Sequence, residues 1–296
     1  MMKKKYTFLC GVIIFFSICV TVKYLNSPAY QTCFDFNYLN NDKVVNYTKT
    51  LLLNNKIPKE DINLWLECVE KYNSKNKHFR KNTSDGWTPI RLSKYNKIDF
   101  TENLNGWSDE EEHFLDLNCR ISTFILIKDM VSSKCFTKKC DSDTEKEIRK
   151  IRDIFDKKFT DKDYTTYRSL FTPINLNIDK SKDINIYDET LKNLKKHWEK
   201  ENLIFKNNSS SSLIQAVFIE PNNKCITATI GHVGLLIKNS DIIYFIEKKN
   251  PFFPYQISRF KNYNDLNNYI LTPFKEFKNC KLMVLQNDNV IFKHDV

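Results

Sequence analysis

No second pair of closely spaced cysteines accompanies Cys135-x4-Cys140, which argues against a four-ligand structural zinc site and leaves that pair open to a local disulfide. No RNP, zinc-finger or helix-turn-helix pattern accompanies the basic residues, which are scattered among acids, so the surplus of Lys and Arg (46 against 36 Asp and Glu) reads as a solvated surface and not a nucleic-acid footprint. Internal repeats are absent. Acidic residues are missing from the first 23 positions, where Lys3, Lys4 and Lys5 precede the uncharged, mostly apolar residues 6–22, closed by Lys23. That order reads as a signal peptide or signal anchor over residues 1–25, with membrane contact through 6–22. A small-x-small cleavage site is lacking, and Ile18 stands before Cys19 where acylation needs a small residue. The positive-inside rule then expects a single-pass membrane protein with the rest of the chain extracellular, secretion after cleavage being the alternative.

What is present is enough apolar material for a real core: the chain has 296 residues, 41% hydrophobic and 14% aromatic. After a linker at 26–35, residues 36–296 are expected to form one α+β domain. "KVVNYTKTLLLNN" and "KEDINLWLECVEKYN" carry helical spacing, with Ile62, Leu66 and Val69 on one side, and predict a helical hairpin broken near Pro58. Residues 74–107 are polar and irregular. Ser108 and Glu111 form a candidate capping box. A helix from Cys119 to about Val131 follows from Phe124, Ile127 and Val131, with Asn118 as N-cap. Charged helical patterns fill a helical insertion at about 135–207. From residue 213 onward β-rich runs predict a C-terminal antiparallel sheet, "IGHVGLLIK" and "DIIYFIEKK" forming a hairpin.

Three positions carry candidate chemistry. Cys119 opens a helix, where free N–H groups and the helix dipole favour a thiolate. His232 starts a strand between Gly231 and Gly234, which leave room for a backbone or a substrate. A turn at Asn239-Ser240 would set Ile237 opposite Ile242 and His232 opposite Glu247, on one face. The glutamate could then fix the imidazole tautomer, as in a Cys-His-acid triad. For each there is a plain structural alternative: a buried thiol, a hydrogen-bonded polar residue, a strand end emerging into solvent.

The segments "NCRIS", "IGHVGLLI", "FIEK" and "PYQ" resemble the bacterial family known as domain of unknown function 4300, found in exported proteins of low-GC Gram-positive bacteria, from Phe36 to the C-terminus. Their order also resembles the papain-like NlpC superfamily of cell-wall peptidases and amidases. That resemblance implies a papain-like core with Cys119 as nucleophile, His232 as base and Glu247 as orienter. Asn118 either caps the helix or points its amide at an oxyanion; Gln256 either donates to substrate or belongs to a rigid Pro-rich loop. Arg120 either supports a thiolate or substrate carboxylate, or joins a surface ion pair. The expected activity is a cysteine hydrolase or acyl transferase, with cell-wall peptide as the substrate the resemblance implies, needing no metal or organic cofactor. The alternative is a non-catalytic envelope-binding protein.

Overall fold

A computed structural model of the chain describes residues 31–75, 86–99, 117–134, 142–176, 185–206, 210–221, 225–274 and 280–295. The expected membrane segment, the Ser108 capping box, Cys135 and Cys140 lie outside these residues. Among the described residues no helix is long and apolar enough to cross a membrane.

The protein is α+β. β1 (Cys33–Asn37) leads into α1 (Asp42–Asn54) and α2 (Lys59–Lys75), then β2 (Thr88–Arg91), a one-turn helix α3 (Leu92–Tyr95) and α4 (Cys119–Ile127). β3 (Val131–Ser132), α5 (Ser142–Phe155), α6 (Asp161–Phe171), β4 (Ile174–Leu176), α7 (Ile186–Lys200) and β5 (Ile204–Phe205) follow. The chain ends in β6 (Ser211–Pro221), β7 (Ile226–Asn239), β8 (Ile242–Lys248), β9 (Tyr255–Phe260), α8 (Tyr263–Leu271), β10 (Lys281–Gln286) and β11 (Asn289–Asp295).

The main sheet has the strand order β11-β10-β6-β7-β8-β9-β1-β2, with β4 added beside β7, and its pairings are antiparallel. Two early strands therefore join the sheet, which corrects the reading of helices first and sheet last. β1 falls partly in the supposed linker. It is a short alternating run whose Phe34 and Phe36 are buried, and that two-residue period marks a strand even in a polar neighbourhood. β2 lies in the stretch read as irregular.

Period-two alternation divides the apolar residues between two layers. One face carries α1, α2, α4 and the helices of the middle segment; Leu213, Leu235, Ile246 and Ile257 point there. The other carries α3 and α8; Ile214, Leu236, Phe245 and Phe260 point there. Within β7 the phase changes, since Ala228 and Ile230 face the larger helical layer, and so do Val233, Leu235 and Ile237. The register shift between Ala216↔His232 and Val217↔Ile230 leaves Gly231 as the extra residue of a bulge. That bulge turns His232 toward the α8 side.

The β7–β8 hairpin turns one residue later than expected. Asn239 pairs with Ile242 and Leu235 with Ile246, leaving Ser240 and Asp241 as the turn, with Ser240 at φ 51°. Glu247 thus stands across from the position of Gly234, and His232 lies two residues farther along β7. A displacement of two keeps both side chains on one face, where one residue would have separated them. α4 ends at Ile127 and not near Val131: Met130 N–H bonds to Ile127 O at 2.7 Å, and Val131 already pairs with Phe205.

Candidate active site

β7 has different neighbours along one edge. Ile226 to Ala228 pair with β4, and Leu235 to Asn239 pair with β8. Between these ladders residues 229–234 meet no strand on that side among the described residues, and unpaired carbonyls there need donors. The start of α4 supplies them: Cys119 Sγ donates to Gly231 O at 3.8 Å and Thr123 Oγ1 to Val233 O at 3.3 Å. Residues i and i+4 share a helix face, so one turn of α4 covers both. The thiol is thereby held beside His232.

His232 and Glu247 are buried, and Nε2 of the ring lies 2.6 Å from Glu247 Oε2. Cys119, bonded to the carbonyl of the adjoining Gly231, lies near enough to the ring to favour its charged form. Burial disfavours the imidazolium, yet the nearby Cys119 and the bonded, charged Glu247 outweigh it and lift His232 from 6.5 to about 10. Burial likewise opposes the Glu247 carboxylate, but the bond to His232 and its charge win, and the pKa falls below its ordinary value.

A polar chain extends behind the glutamate. Tyr269 O–H donates to Glu247 Oε1, Gln256 Nε2 donates to the Tyr269 oxygen at 3.0 Å and to Ser258 Oγ at 2.6 Å, and Tyr95 O–H donates to Gln256 Oε1 at 2.6 Å. Gln256 is buried and both ends of its amide are engaged inside the protein. Its donors serve Tyr269 and Ser258, an arrangement unlike the expected substrate or oxyanion donor. The room beside the two glycines is also taken internally. A Cβ on Gly231 would meet the Phe218 ring at 2.1 Å, and one on Gly234 the Phe245 ring at 2.3 Å. Aromatic side chains occupy that space, where an approaching backbone or substrate was expected.

Helix α4 is anchored from two directions. Asn118 caps α4, its Oδ1 accepting from Ile121 N–H at 3.0 Å, while its amide donates to Glu147 on α5. Arg120 donates to the same carboxylate at 2.5 Å and Tyr167 on α6 donates to its other oxygen at 2.7 Å. Asn118 thus acts as a cap, and Arg120 pairs within the protein. From the sheet, the fully buried Lys248 donates to Leu117 O at 2.9 Å and Pro251 O at 2.8 Å. Its ammonium also lies 4.8 Å from the Tyr72 ring centroid.

Glu147, Lys248, Lys249, Tyr95 and Tyr269 were not singled out from the sequence. Signals for two of them exist. Glu147 sits within the buried series Thr144, Ile148 and Ile151 of α5, and Lys248 continues the alternation of Tyr244 and Ile246 in β8. A charge in an apolar phase is a buried charge, and buried charges need partners.

On the α8 side a cavity of about 370 Å³ opens between β7, β8, α3 and α8. His232, Glu247, Lys249, Tyr95, Tyr269 and Phe274 are among its walls. Cys119, 5% exposed, is not among the lining residues and stands behind the histidine. Among the described residues no group of three or more His, Cys, Asp or Glu could hold a metal ion.

A family model described as a domain of unknown function, DUF4300, matches residues 35–291. No curated protein and no solved structure matches the chain.

Proposed function

The chain belongs to the DUF4300 family, and on the geometry of its Cys-His-Glu cluster we propose that it is a cysteine hydrolase or acyl transferase acting on an amide or related acyl bond. The supporting observation is the buried pair in which Glu247 holds His232 at 2.6 Å, with Cys119 beside it at a helix start, its Sγ 3.8 Å from the carbonyl oxygen of the adjoining Gly231. In the reactive state the thiol proton already resides on His232, the charged form that Glu247 sustains, and Sγ adds to the carbonyl carbon, forming an S–C bond. Backbone N–H groups at the start of α4 face the developing oxyanion. The C–N bond then breaks and His232 returns its proton to the leaving amine. Water, deprotonated by His232, attacks the thioester, releasing the acid and restoring the thiol; an acceptor amine in place of water gives transfer.

The chain order of helix-borne Cys119, strand-borne His232 and Glu247 on the next strand supports a papain-like core of the NlpC kind, with residues 135–207 as the helical insertion. Three lysines before the apolar residues 6–22 support a membrane-anchored, extracellular domain, and that compartment makes a cell-wall peptide the substrate of choice. A second reading, a non-catalytic envelope-binding protein, is favoured by one observation: the cavity is walled by His232 and aromatic rings and not by Cys119. Incubation with p-nitrophenyl acetate separates the two. The hydrolase gives a burst of nitrophenol and an acetyl adduct on the Cys119 peptide, both lost in Cys119→Ser. No burst and no adduct in the unaltered chain would leave the binding reading.

A further inference from the structure

Lys248 and Lys249 are consecutive on the chain but meet opposite fates. The ammonium of Lys248 is buried and satisfied by two carbonyls. Lys249 points to the other face, into the cavity beside His232. Its Nζ lies 4.3 Å from the Tyr95 ring centroid and 4.5 Å from that of Tyr269. Ring faces stabilise a cation but accept no strong hydrogen bond, and among the described residues Lys249 makes no ion pair and has no hydrogen-bonded acceptor. Burial therefore pushes its ammonium down to about 8, Glu247 opposing the shift through its charge. A partly buried cation with donors unspent is a site awaiting an anion.

The charge balance of the walls agrees. The charged side chains lining the cavity are His232, Glu247 and Lys249, and both oxygens of Glu247 are already committed, one to the ring and one to Tyr269. With His232 protonated the lining carries one positive charge in excess. Tyr95, Phe253, Tyr269, Ile270 and Phe274 form apolar walls around it. A volume of about 370 Å³ lies at the small end of ligand pockets and suits an acyl residue, not a long chain.

We infer that Lys249 is the substrate-recognition residue of this site, and that the cavity takes an acylated amino acid or short peptide through a free carboxylate seated on the Lys249 ammonium. The assignment rests on the hydrolase reading and names its substrate class. The test is binding of N-acetylphenylalanine and of its uncharged amide to the full chain carrying Cys119→Ser, followed by titration calorimetry or NMR. The acid binds about tenfold more tightly than the amide near pH 6.5, the difference vanishing in Lys249→Met and Lys249→Gln and persisting in Lys249→Arg. Equal affinity for the two, no binding of either, or a preference that survives in Lys249→Met overturns the inference. None of these measurements needs a reactive thiol. An inert Cys119 together with a Lys249-dependent acid preference would therefore sink the hydrolase reading alone, and a reactive Cys119 without that preference would sink only the carboxylate assignment.

Discussion

His232 and Glu247 are a buried pair in which each partner sustains the charge of the other, and this has consequences for stability as well as chemistry. Removing the carboxylate in Glu247→Ala leaves the ring and the Tyr269 hydroxyl without their acceptor, and costs about 3 to 5 kcal/mol in urea unfolding. The pH dependence follows from the raised His232 value. Folding lifts it from 6.5 to about 10, so its contribution is complete below about pH 6.5 and is lost as pH climbs through about 10. Lys249, lowered from 10.5 to about 8 by burial, acts in the opposite sense, and its proton loss in the folded state adds stability above about pH 8. Cys119, Glu247, Tyr95 and Tyr269 are the other titratable groups facing these two. Between about pH 6.5 and 8 the histidine acts alone, and unfolding free energy falls by about 2 kcal/mol at most, a slope that flattens in Glu247→Gln. At Gly234 a methyl group would strike the buried Phe245 ring and come within 3.0 Å of Ile246 O, so Gly234→Ala costs about 1 to 3 kcal/mol by overpacking. Cys119 at a helix start and Glu247 near a strand end were legible, whereas His232, read as starting a strand, stands in the middle of β7, whose first residues Ile226 to Ala228 pair with β4. Lys249 was not: a lysine after a strand looks solvated unless the rings of Tyr95 and Tyr269, distant in sequence, are known to surround it.

At the scale of elements, α4 is the part everything else steadies. Its N-cap Asn118 was readable, because an Asn before an apolar-periodic run has one obvious use. Its docking was not readable, because the gap in β7 that α4 fills exists only once β4, a three-residue strand, and β8 have taken the two ends of the same edge. The hairpin illustrates a related limit. A turn displaced by one residue moved every opposed pair by two, so the face of His232 and Glu247 was right while their register was wrong. Glu147→Ala removes the acceptor shared by Asn118, Arg120 and Tyr167 and leaves a mostly buried guanidinium unpaired. The expected cost is about 3 kcal/mol, accompanied by slower alkylation of Cys119 although Glu147 touches neither thiol nor ring. Lys248→Met leaves Leu117 O and Pro251 O without their donor, each worth about 1 to 3 kcal/mol, and lowers the urea midpoint accordingly.

Across the whole molecule, strands from both ends of the chain meet in one sheet: β1 pairs with β9 and with β2, while β10 and β11 close the opposite edge. The α+β class was visible in the change from helical to alternating patterns near residue 213. The contribution of β1 was hidden by its five-residue length and by Cys, Asp and Asn among its two phenylalanines. If residues 6–22 anchor the protein, the full chain sediments with membranes and resists a high-salt wash, and a chain lacking residues 1–25 stays in the supernatant. The central claim, that a thiol and an imidazole share one reactive site, is tested most directly by the rate at which iodoacetamide alkylates Cys119 near pH 6, read by peptide mass spectrometry with the exposed Cys33 as internal reference. The account predicts that Cys119, though buried, reacts at least about tenfold faster than Cys33 and loses that advantage in His232→Ala. A Cys119 that reacts more slowly than Cys33, with a rate unmoved by His232→Ala, would contradict it.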